Sequence, residues 1–508
     1  RSEPPTGSFA RGYFEHRFPL DPRSYAPLLQ RAAAQLGEGG SRDALSSLAS
    51  AFGHLPPRDA AGAQAVAERT RDKELLKARL AALQSEGEGV TLAIEAAVGA
   101  FNDADALDAL HESQAYRLAY WRVAADEINY RRFFDINDLA ALRMEEPAVF
   151  EATQGFALEL AAAGVVDGLR IDHPDGLHDP AQYFERLQQG YARRAGLALP
   201  ESDANGRPAR PLYVVAEKIA AAHEEVPESW ALHGTTGYRF ANLVNGVLMD
   251  AGARAHIDRV WSRFSGERRS FEELAYEGRR AIMRSSLASE LTMRATELLR
   301  IARGHRRTRD YTFNTLRNAL AEVAACMPVY RSYIVDAPSA QDRRYIDWAV
   351  AHARRKSRAA DTSIFGFVHE TLLARAVDGA SPELAEQVRR FAMRFQQFSA
   401  PVAAKGVEDT AFYRYSRLVS QNEGGGDPGS FGITVRAFHG ASADRAARWP
   451  HTIIATSTHD NKRSEDVRNR LNVLSEMPAA WRLWLRRWSA SPQLLRAEGD
   501  GERWSSAA

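Results

Sequence analysis

The chain has 508 residues, and its 66 Lys and Arg against 65 Asp and Glu give a formal net charge of +1. This length allows more than one domain, and the charge balance gives no electrostatic reason to expect nucleic acid or an anionic membrane as a partner. The single cysteine, Cys326, excludes an internal disulfide framework and any cysteine-based metal site. A neutral substrate held by hydrogen bonds fits these limits better.

The first 120 residues are predicted to form a helical insertion or subdomain. Residues 1 to about 20 are predicted to be loop and linker, and 22–120 are rich in Ala, Leu and Arg at helical spacing, with two helical pieces inside 75–101. No apolar run is long enough to span a bilayer, and the opening residues lack the basic and apolar regions of a signal peptide. We therefore expect a cytoplasmic protein.

Residues 121–245 show a helix–strand–helix–strand pattern. The first helix ends at Gly164 and is followed by the strand GVVDGLRID. Asp179 is a good N-cap and Pro180 suits the first position of the next helix, after which PLYVVAEKI (211–219) reads as a buried strand. This order predicts a βαβ unit with parallel strands.

The rest of the chain is predicted to hold a helical insertion and a second α/β part. Residues 246–395 carry long Arg- and Ala-rich helical patterns, and Cys326 lies in one of them as a buried, inert thiol. Within 396–508, WPHTIIATSTHD (449–460) is predicted to be an apolar strand, and 461–474 a helix.

Three predicted strands end in a carboxylate: Asp172, Glu217 and Asp460. In a parallel α/β barrel the carboxyl ends of all strands open on one face, where the active sites of such barrels lie. We therefore expect the three side chains to converge. Taken singly, each would more often be a cap or a surface group; three in order favour a site.

The neighbours of these carboxylates favour chemistry at a glycosidic bond. Side chains alternate along a strand, so Arg170 and Asp172 face the same way, and the guanidinium keeps Asp172 ionised, as a glycosyl nucleophile must be. Glu217 ends an apolar strand, where desolvation holds its proton and suits a general acid. His173 and His459 could donate hydrogen bonds to sugar hydroxyls. The alternative is that Arg170 and Asp172 form only a structural ion pair.

The motifs DGLRID, VVAEKI and STHD resemble three conserved regions of the α-amylase clan of retaining glycosidases and transglycosylases. More narrowly, the chain resembles maltooligosyl trehalose synthases from YFEHRFPLDPRSY onward. Four segments carry this narrower resemblance: EINYRRFFDINDLAALR (127–143), GLRIDHPDGLHDP (168–180), AKGVEDTAFYRY (404–415) and STHDNKRSEDVR (457–468).

The resemblance implies an α/β fold, a (β/α)8 TIM barrel with large helical insertions. It implies that Asp172 is the nucleophile, Glu217 the acid/base and Asp460 the transition-state stabiliser, with Arg170 and His459 as supporting residues. The nucleophile and acid/base strands then belong to the barrel part at 121–245, and the stabiliser strand belongs to the part at 396–508.

Two departures from the family pattern predict an incomplete barrel. The first conserved region of the clan, with an Asp and an Asn-His pair near the third strand, is not found and is expected upstream of Arg1. The chain also ends soon after STHD, so 396–508 is expected to be truncated before the eighth strand. A smaller departure is Asn461, where threonine is expected.

Two segments mix polar and aromatic residues in a way that suits a sugar pocket. AKGVEDTAFYRY contains charged side chains that can form hydrogen bonds with sugar hydroxyls and aromatic rings on which a pyranose can stack. NYRRFFD combines the same two kinds of residue, with Tyr130 and Arg131 as candidates. The alternative for AKGVEDTAFYRY is a surface turn with an aromatic anchor. The alternative for NYRRFFD is that Arg131 or Arg132 only braces Asp135. The candidates in the first segment are Lys405, Glu408, Asp409, Phe412 and Tyr413.

The leading hypothesis is an isomerase that converts the reducing-end α-1,4 linkage of maltooligosaccharides, from starch or glycogen, to an α,α-1,1 linkage by retaining double displacement. We expect no cofactor and no metal, since no clustered ligand pattern is visible, and functional coupling to a trehalose-releasing hydrolase. The alternatives are an α-amylase-type glucan hydrolase or trehalose-releasing relative, and a non-catalytic glucan-binding fragment. The HPDGL continuation and the 404–415 segment favour the synthase over the hydrolase.

Overall fold

A computed structural model describes residues 1–60, 62–202, 206–357 and 362–490. Its internal contacts divide the chain into two compact units, Arg1–Trp121 and Arg122–Ala508. No helix within the described ranges is long and apolar enough to cross a membrane.

The first unit combines a small antiparallel sheet with five helices. The prediction of loop at residues 1 to about 20 is wrong, because three short antiparallel strands lie there, and Phe9 is buried against Tyr25, with ring centroids 4.9 Å apart. Side chains from α1, α2 and α4 dominate its core. The elements are β1 (Ser2–Glu3), β2 (Ser8–Tyr13), β3 (His16–Pro19), α1 (Tyr25–Ala33), α2 (Gly40–Gly53), α3 (Ala63–Glu86), α4 (Glu88–Ala100) and α5 (Ala104–Glu112).

The second unit is helix-rich and contains a hairpin and a parallel sheet. Its strands are β4 (Arg132–Phe133), β5 (Ile136–Ala140), β6 (Gly168–Ile171), β7 (Tyr213–Ala216) and β8 (Gly234–Thr235). Its helices are α6 (Ala124–Glu127), α7 (Pro147–Ala162), α8 (Pro180–Ala195), α9 (Tyr238–Val247), α10 (Arg254–Ser265), α11 (Phe271–Ile282), α12 (Ala288–Arg303), α13 (Phe313–Ala325), α14 (Ala340–Lys356), α15 (Ser363–Leu372), α16 (Pro382–Ala403), α17 (Phe412–Arg414), α18 (Val435–Arg448), α19 (Glu465–Asn472) and α20 (Pro478–Ser489), with a π-helix over Ala404–Ala411.

The predicted βαβ unit is confirmed, and with it the α/β class. Strands β6, β7 and β8 pair in that order and run parallel, with α8 between the first two. Asp179 caps α8 by accepting a hydrogen bond from the Gln182 amide, Pro180 opens the helix, and Gly196 ends it in the left-handed conformation. Local chain chemistry therefore sets the boundaries of this unit.

The predicted strand at 449–460 does not form. A backbone bond joins the segment to the sheet, from the Ile453 N–H to the Thr235 carbonyl at 3.1 Å, and the Thr235 N–H donates to the Thr452 hydroxyl at 2.8 Å. The neighbouring strand β8 has only two residues, so it provides too few backbone hydrogen-bonding groups to pair with a regular strand. The segment nevertheless lies beside β8, in the position of a fourth strand.

The predicted helices of 246–395 are also present and build the largest apolar cluster. Side chains from α12 to α16 meet there. Cys326 follows α13, and burial raises the pKa of its thiol to about 11, which fits the inert thiol that the sequence predicted.

Replacing Phe184 with Ala should lower the free energy of unfolding by about 3–5 kcal/mol. The Phe184 ring has no exposed surface and contacts the Trp230 ring at 5.3 Å, under the strand that precedes Glu217. Phe156, on the neighbouring helix α7, is 72% exposed and is the matched control. Urea unfolding curves of both alanine variants measure the difference; equal losses would contradict the packing described here.

Candidate active site

Asp172 and Glu217 follow the ends of two adjacent parallel strands. The register of β6 and β7 pairs Ile171 with Ala216, so the next residue on each strand is a carboxylate. The Glu217 N–H donates to the Ile171 carbonyl at 2.8 Å and continues the ladder by one bond. The two carboxylates therefore stand side by side at the same edge of the sheet.

Asp172 is paired with Arg170, as the alternation of side chains predicted. The guanidinium Nη1 lies 2.6 Å from the Asp172 carboxylate, and the Asp172 side chain is 59% exposed. An exposed pair of this kind adds little to stability. Its effect on the site is to hold the Asp172 carboxylate in one place.

Glu217 has the opposite environment. It is half-buried, and desolvation raises the pKa of its carboxyl to about 7, with the charges of Asp172 and Asp460 acting in the same direction. The His173 amide N–H donates to Glu217 Oε2 at 2.8 Å and works against this shift. A carboxyl with this pKa holds a proton for a good part of the time near neutral pH and can donate it.

Asp460 reaches the same region from the irregular segment beside β8. Its carboxylate accepts a hydrogen bond from the hydroxyl of Tyr238, the first residue of α9. His459 is exposed, and its Nε2 lies 3.6 Å from the other Asp460 oxygen. Asn461, the departure from the family pattern, donates to Glu423 at 3.1 Å. The stabiliser candidate is therefore held by a tyrosine that the sequence analysis did not select.

The turn after Asp172 places His173 over the hairpin of β4 and β5. His173 has a positive φ of 42°, which L-residues seldom adopt. Its ring lies 5.6 Å from the Phe133 ring and 4.7 Å from the Phe134 ring, and burial lowers the pKa of its imidazole. A neutral imidazole at this position offers a hydrogen bond without a charge.

The hairpin and the π-helix meet at Lys405. Its ammonium lies 3.3 Å from Asp135, 3.0 Å from Asp409 and 5.3 Å from the Phe134 ring centroid. Tyr413, just beyond the π-helix, is 68% exposed. Lys405 therefore lies against the Phe134 ring that also contacts His173, whereas the Tyr413 ring lies 5.7 Å from the Lys462 ammonium.

Two candidates in this segment contact other parts of the protein. Glu408 accepts a hydrogen bond from the Tyr330 hydroxyl at 2.6 Å and one from the Gly425 amide at 3.2 Å. Phe412 is 4% exposed and stacks on Phe271, with centroids 5.9 Å apart. Both hydrogen bonds of Glu408 end on Oε1, whereas the Phe412 ring is covered by protein and offers no face to a sugar.

The two remaining candidates belong to the hairpin. The Tyr130 hydroxyl donates to the Asn137 carbonyl at 2.6 Å, and the Arg131 guanidinium donates to the Gly176 carbonyl. Arg132 donates to the Asp135 carbonyl at 3.3 Å and pairs with Glu290 at 2.7 Å. The bracing arginine is therefore Arg132, and Arg131 instead links the hairpin to the turn that follows Asp172.

Several proteins that resemble this chain are named maltooligosyl trehalose synthase. A Mycobacterium tuberculosis protein named as a maltooligosyl trehalose synthase is 32% identical over 373 residues, which are 73% of this chain and 43% of that protein. The solved structure of maltooligosyltrehalose synthase from Arthrobacter ramosus is 38% identical with a TM-score of 0.63, covering 75% of this chain and 44% of that one. A Sulfolobus tokodaii structure, titled as a hypothetical maltooligosyl trehalose synthase, is 27% identical with a TM-score of 0.54, covering 76% and 44%.

The predicted resemblance is confirmed. The chain spans less than half the length of the curated relatives it matches. No protein-family model matches it.

Sequence reasoning missed the residues that hold the strand ends and Asp460 in place. Asp175 and Lys218 are buried next to the strand ends, and Tyr238 holds Asp460. The first two lie inside the quoted motifs HPDGL and VVAEKI, so a signal was present. Tyr238 carries no such signal, because only the fold brings it to Asp460.

Among the described residues, no group of three His, Cys, Asp or Glu side chains is arranged to hold a metal ion.

Proposed function

We propose that the protein is an intramolecular transglycosylase that converts the reducing-end α-1,4 linkage of a maltooligosaccharide to an α,α-1,1 linkage. The observation that carries this proposal is the contrast between an exposed, arginine-paired Asp172 and a half-buried Glu217 whose pKa is about 7, side by side on adjacent strands. Two carboxyls in opposite ionisation states are what retaining chemistry at a glycosidic bond requires. The names of the similar proteins support the choice of reaction.

The first half-reaction breaks the α-1,4 bond. Asp172 attacks the anomeric carbon, and Glu217 gives its proton to the leaving oxygen, so a glycosyl–enzyme ester forms with inverted configuration. Retaining enzymes hold the two carboxyls about 5–5.5 Å apart for this purpose. Asp460, held by Tyr238, would stabilise the positive charge that develops on the sugar ring.

The second half-reaction uses the released glucose in place of water. Glu217, now ionised, takes the proton from the 1-hydroxyl of that glucose, whose oxygen attacks the anomeric carbon and expels Asp172. The second inversion restores the α configuration and joins the two anomeric carbons. The site must hold the glucose while it turns over and must exclude water meanwhile.

The candidate contacts for the sugars are the exposed side chains around His173. Lys405 and Asp409 are charged partners for hydroxyls, and Tyr413 presents a ring face of the kind on which a pyranose stacks. His173, Tyr130, Arg131, Arg170 and His459 complete the proposed sugar-binding set. Glu408 is a half-buried member of this set, and Phe412 is not part of it, because its ring is buried.

The proposal includes the architecture and the setting of the enzyme. The parallel sheet β6–β8, with the segment beside it, would be the central part of a (β/α)8 barrel. The described residues of 121–245 and 396–508 would form the barrel parts, and those of 1–120 and 246–395 the helical insertions; residues 491–508 lie outside the described residues. The substrate would come from starch or glycogen, and a trehalose-releasing hydrolase would consume the product in the cytoplasm.

Given maltopentaose, the full-length protein should produce a pentasaccharide of unchanged mass that has no reducing end. A reducing-sugar assay run beside mass spectrometry measures this, with heat-treated protein as the control. Reducing power should fall while mass and chain length stay constant. Shorter chains with more reducing ends would instead show hydrolysis and overturn the proposal.

One observation favours the hydrolase as the second candidate function. The Asp172 side chain is 59% exposed, so water has access to the carbon that Asp172 would hold. The same maltopentaose assay decides, because free glucose counts hydrolysis and the non-reducing pentasaccharide counts transfer.

A further inference from the structure

A buried ion cluster lies next to Asp172 and Glu217 at the ends of β6 and β7. Lys218, the residue after Glu217, has no exposed side-chain surface, and its ammonium lies 3.0 Å from Asp175 and 2.8 Å from Glu224. The ammonium donates hydrogen bonds to Asp175 and, at 2.7 Å, to the Ile219 carbonyl, and it forms an ion pair with Glu224. Oxygen atoms of the protein therefore surround it.

The same cluster holds the turn that follows Asp172. Asp175 also accepts a hydrogen bond from the Tyr333 hydroxyl. The guanidinium of Arg331, itself buried, donates to the carbonyls of Asp175 at 3.0 Å and Leu177 at 2.5 Å. The turn is thus fixed through both its side chain and its backbone.

This turn also contacts Glu217. His173 adopts a left-handed conformation with φ 42°. This conformation costs energy and persists only where the surrounding structure holds it. In that conformation its amide N–H donates to Glu217 at 2.8 Å. Well-packed apolar residues often replace a buried ion cluster without loss of stability, so this cluster needs a further explanation, and the geometry of the turn supplies one.

We propose that Lys218 is a positioning residue: through Asp175 it fixes the turn after Asp172 so that the His173 amide N–H stays on the Glu217 carboxyl. The proposal rests on the proposed function only for the acid/base role of Glu217. Lys218 itself would touch no substrate, since Asp175, Glu224 and Ile219 surround its ammonium.

The hydrogen bond from His173 predicts the sign of the effect. It favours the carboxylate form, so its loss raises the pKa of Glu217. Lys218→Met removes a positive charge and Asp175→Asn a negative one, so their through-space effects on Glu217 are opposite. A shift in the same direction therefore reports the turn. The other titratable groups that act on Glu217 stay unchanged in both variants: Arg170, Asp172, Tyr238, Tyr330 and Asp460.

The test uses full-length protein and maltopentaose. For Lys218→Met and Asp175→Asn, kcat should fall at least about tenfold while KM changes less than about threefold, and the alkaline limb of the kcat/KM profile should move up by about 1 pH unit. Asp175→Asn is isosteric, so it decides alone if Lys218→Met does not fold. The matched control is Arg280→Met, which breaks the part-buried pair of Arg280 with Glu322 on α11 and α13 and should lower Tm only.

An alkaline limb that stays in place in the folded variants would overturn the proposal, even if kcat or Tm falls, because a purely structural cluster gives that result. Limbs that move in opposite directions would also overturn it, since through-space charge then accounts for them. If the native protein does not act on maltopentaose, the proposed function has failed. The pKa of Glu217 is then read from the carboxyl signal of ¹³C-labelled glutamate, assigned with Glu217→Gln, and an unchanged pKa in both variants overturns the proposal.

Discussion

Replacing Asp172 with Asn should lower kcat on maltopentaose by on the order of 10⁴-fold in the full-length protein. Asp172 is needed in both half-reactions, first to form the glycosyl ester and then to leave from it, and an amide does neither. Arg170, 2.6 Å away, can still donate to the amide oxygen, so KM should change far less than kcat. Initial rates of reducing-end loss measure the effect.

The sequence supplies a matched control for this variant. Asp167 lies on the same segment five residues earlier, is exposed and precedes β6, so Asp167→Asn should leave kcat close to the native value. A second experiment tests the role itself. Asp172→Gly with azide and an activated α-glycosyl substrate should give the β-glycosyl azide, because azide attacks where the carboxylate stood. A retained α-azide would assign the nucleophile elsewhere.

The sequence predicted the site where local chemistry determines the structure. The caps of α8, the apolar run before Glu217 and the spacing of Arg170 and Asp172 are all read within a few residues. Parallel pairing of β6 and β7 then follows, because a helical crossover between two adjacent strands of one sheet returns the chain in the same direction. The side-by-side carboxylates needed no long-range information beyond that.

The prediction was wrong, or incomplete, where distant residues decide. Phe412 has the ring face of a sugar-binding group in the sequence, but Phe271, which is distant in sequence, helps to bury it. The TIIATST segment has the composition of a strand, yet a two-residue neighbour gives it no ladder. Short strands near the start were missed for a related reason, since Phe9 is buried only because α1 covers it.

Replacing Glu217 with Gln should also lower kcat on maltopentaose, by on the order of 10³–10⁴-fold. The amide cannot protonate the leaving oxygen or take a proton from the incoming hydroxyl. The His173 N–H can still donate to the amide oxygen, so the turn should keep its shape. With an activated substrate and azide, this variant should give the α-glycosyl azide, because the Asp172 ester still forms and azide needs no base.

The pH dependence separates Glu217 from other groups. Since the acid form must donate, native kcat/KM should decline as pH rises through about 7, the raised pKa of Glu217. The residual activity of Glu217→Gln should lack that alkaline limb. A native profile that stays flat through pH 7 would contradict the assignment of Glu217 as the acid.

The raised pKa of Glu217 also predicts that Glu217→Gln is more stable than the native protein at high pH. Between the ordinary value of 4.5 and the folded value of about 7, the folded state binds more protons than the unfolded state, so the free energy of unfolding falls as pH rises through that window. Above it, the folded protein carries the full desolvation cost of a charged Glu217. The amide in Glu217→Gln never ionises, so the Tm of this variant should exceed the native Tm at pH 8, and the two should approach each other towards pH 4.5. A difference in Tm that does not depend on pH would show that Glu217 titrates normally, and its role as a proton donor at neutral pH would lose its physical basis.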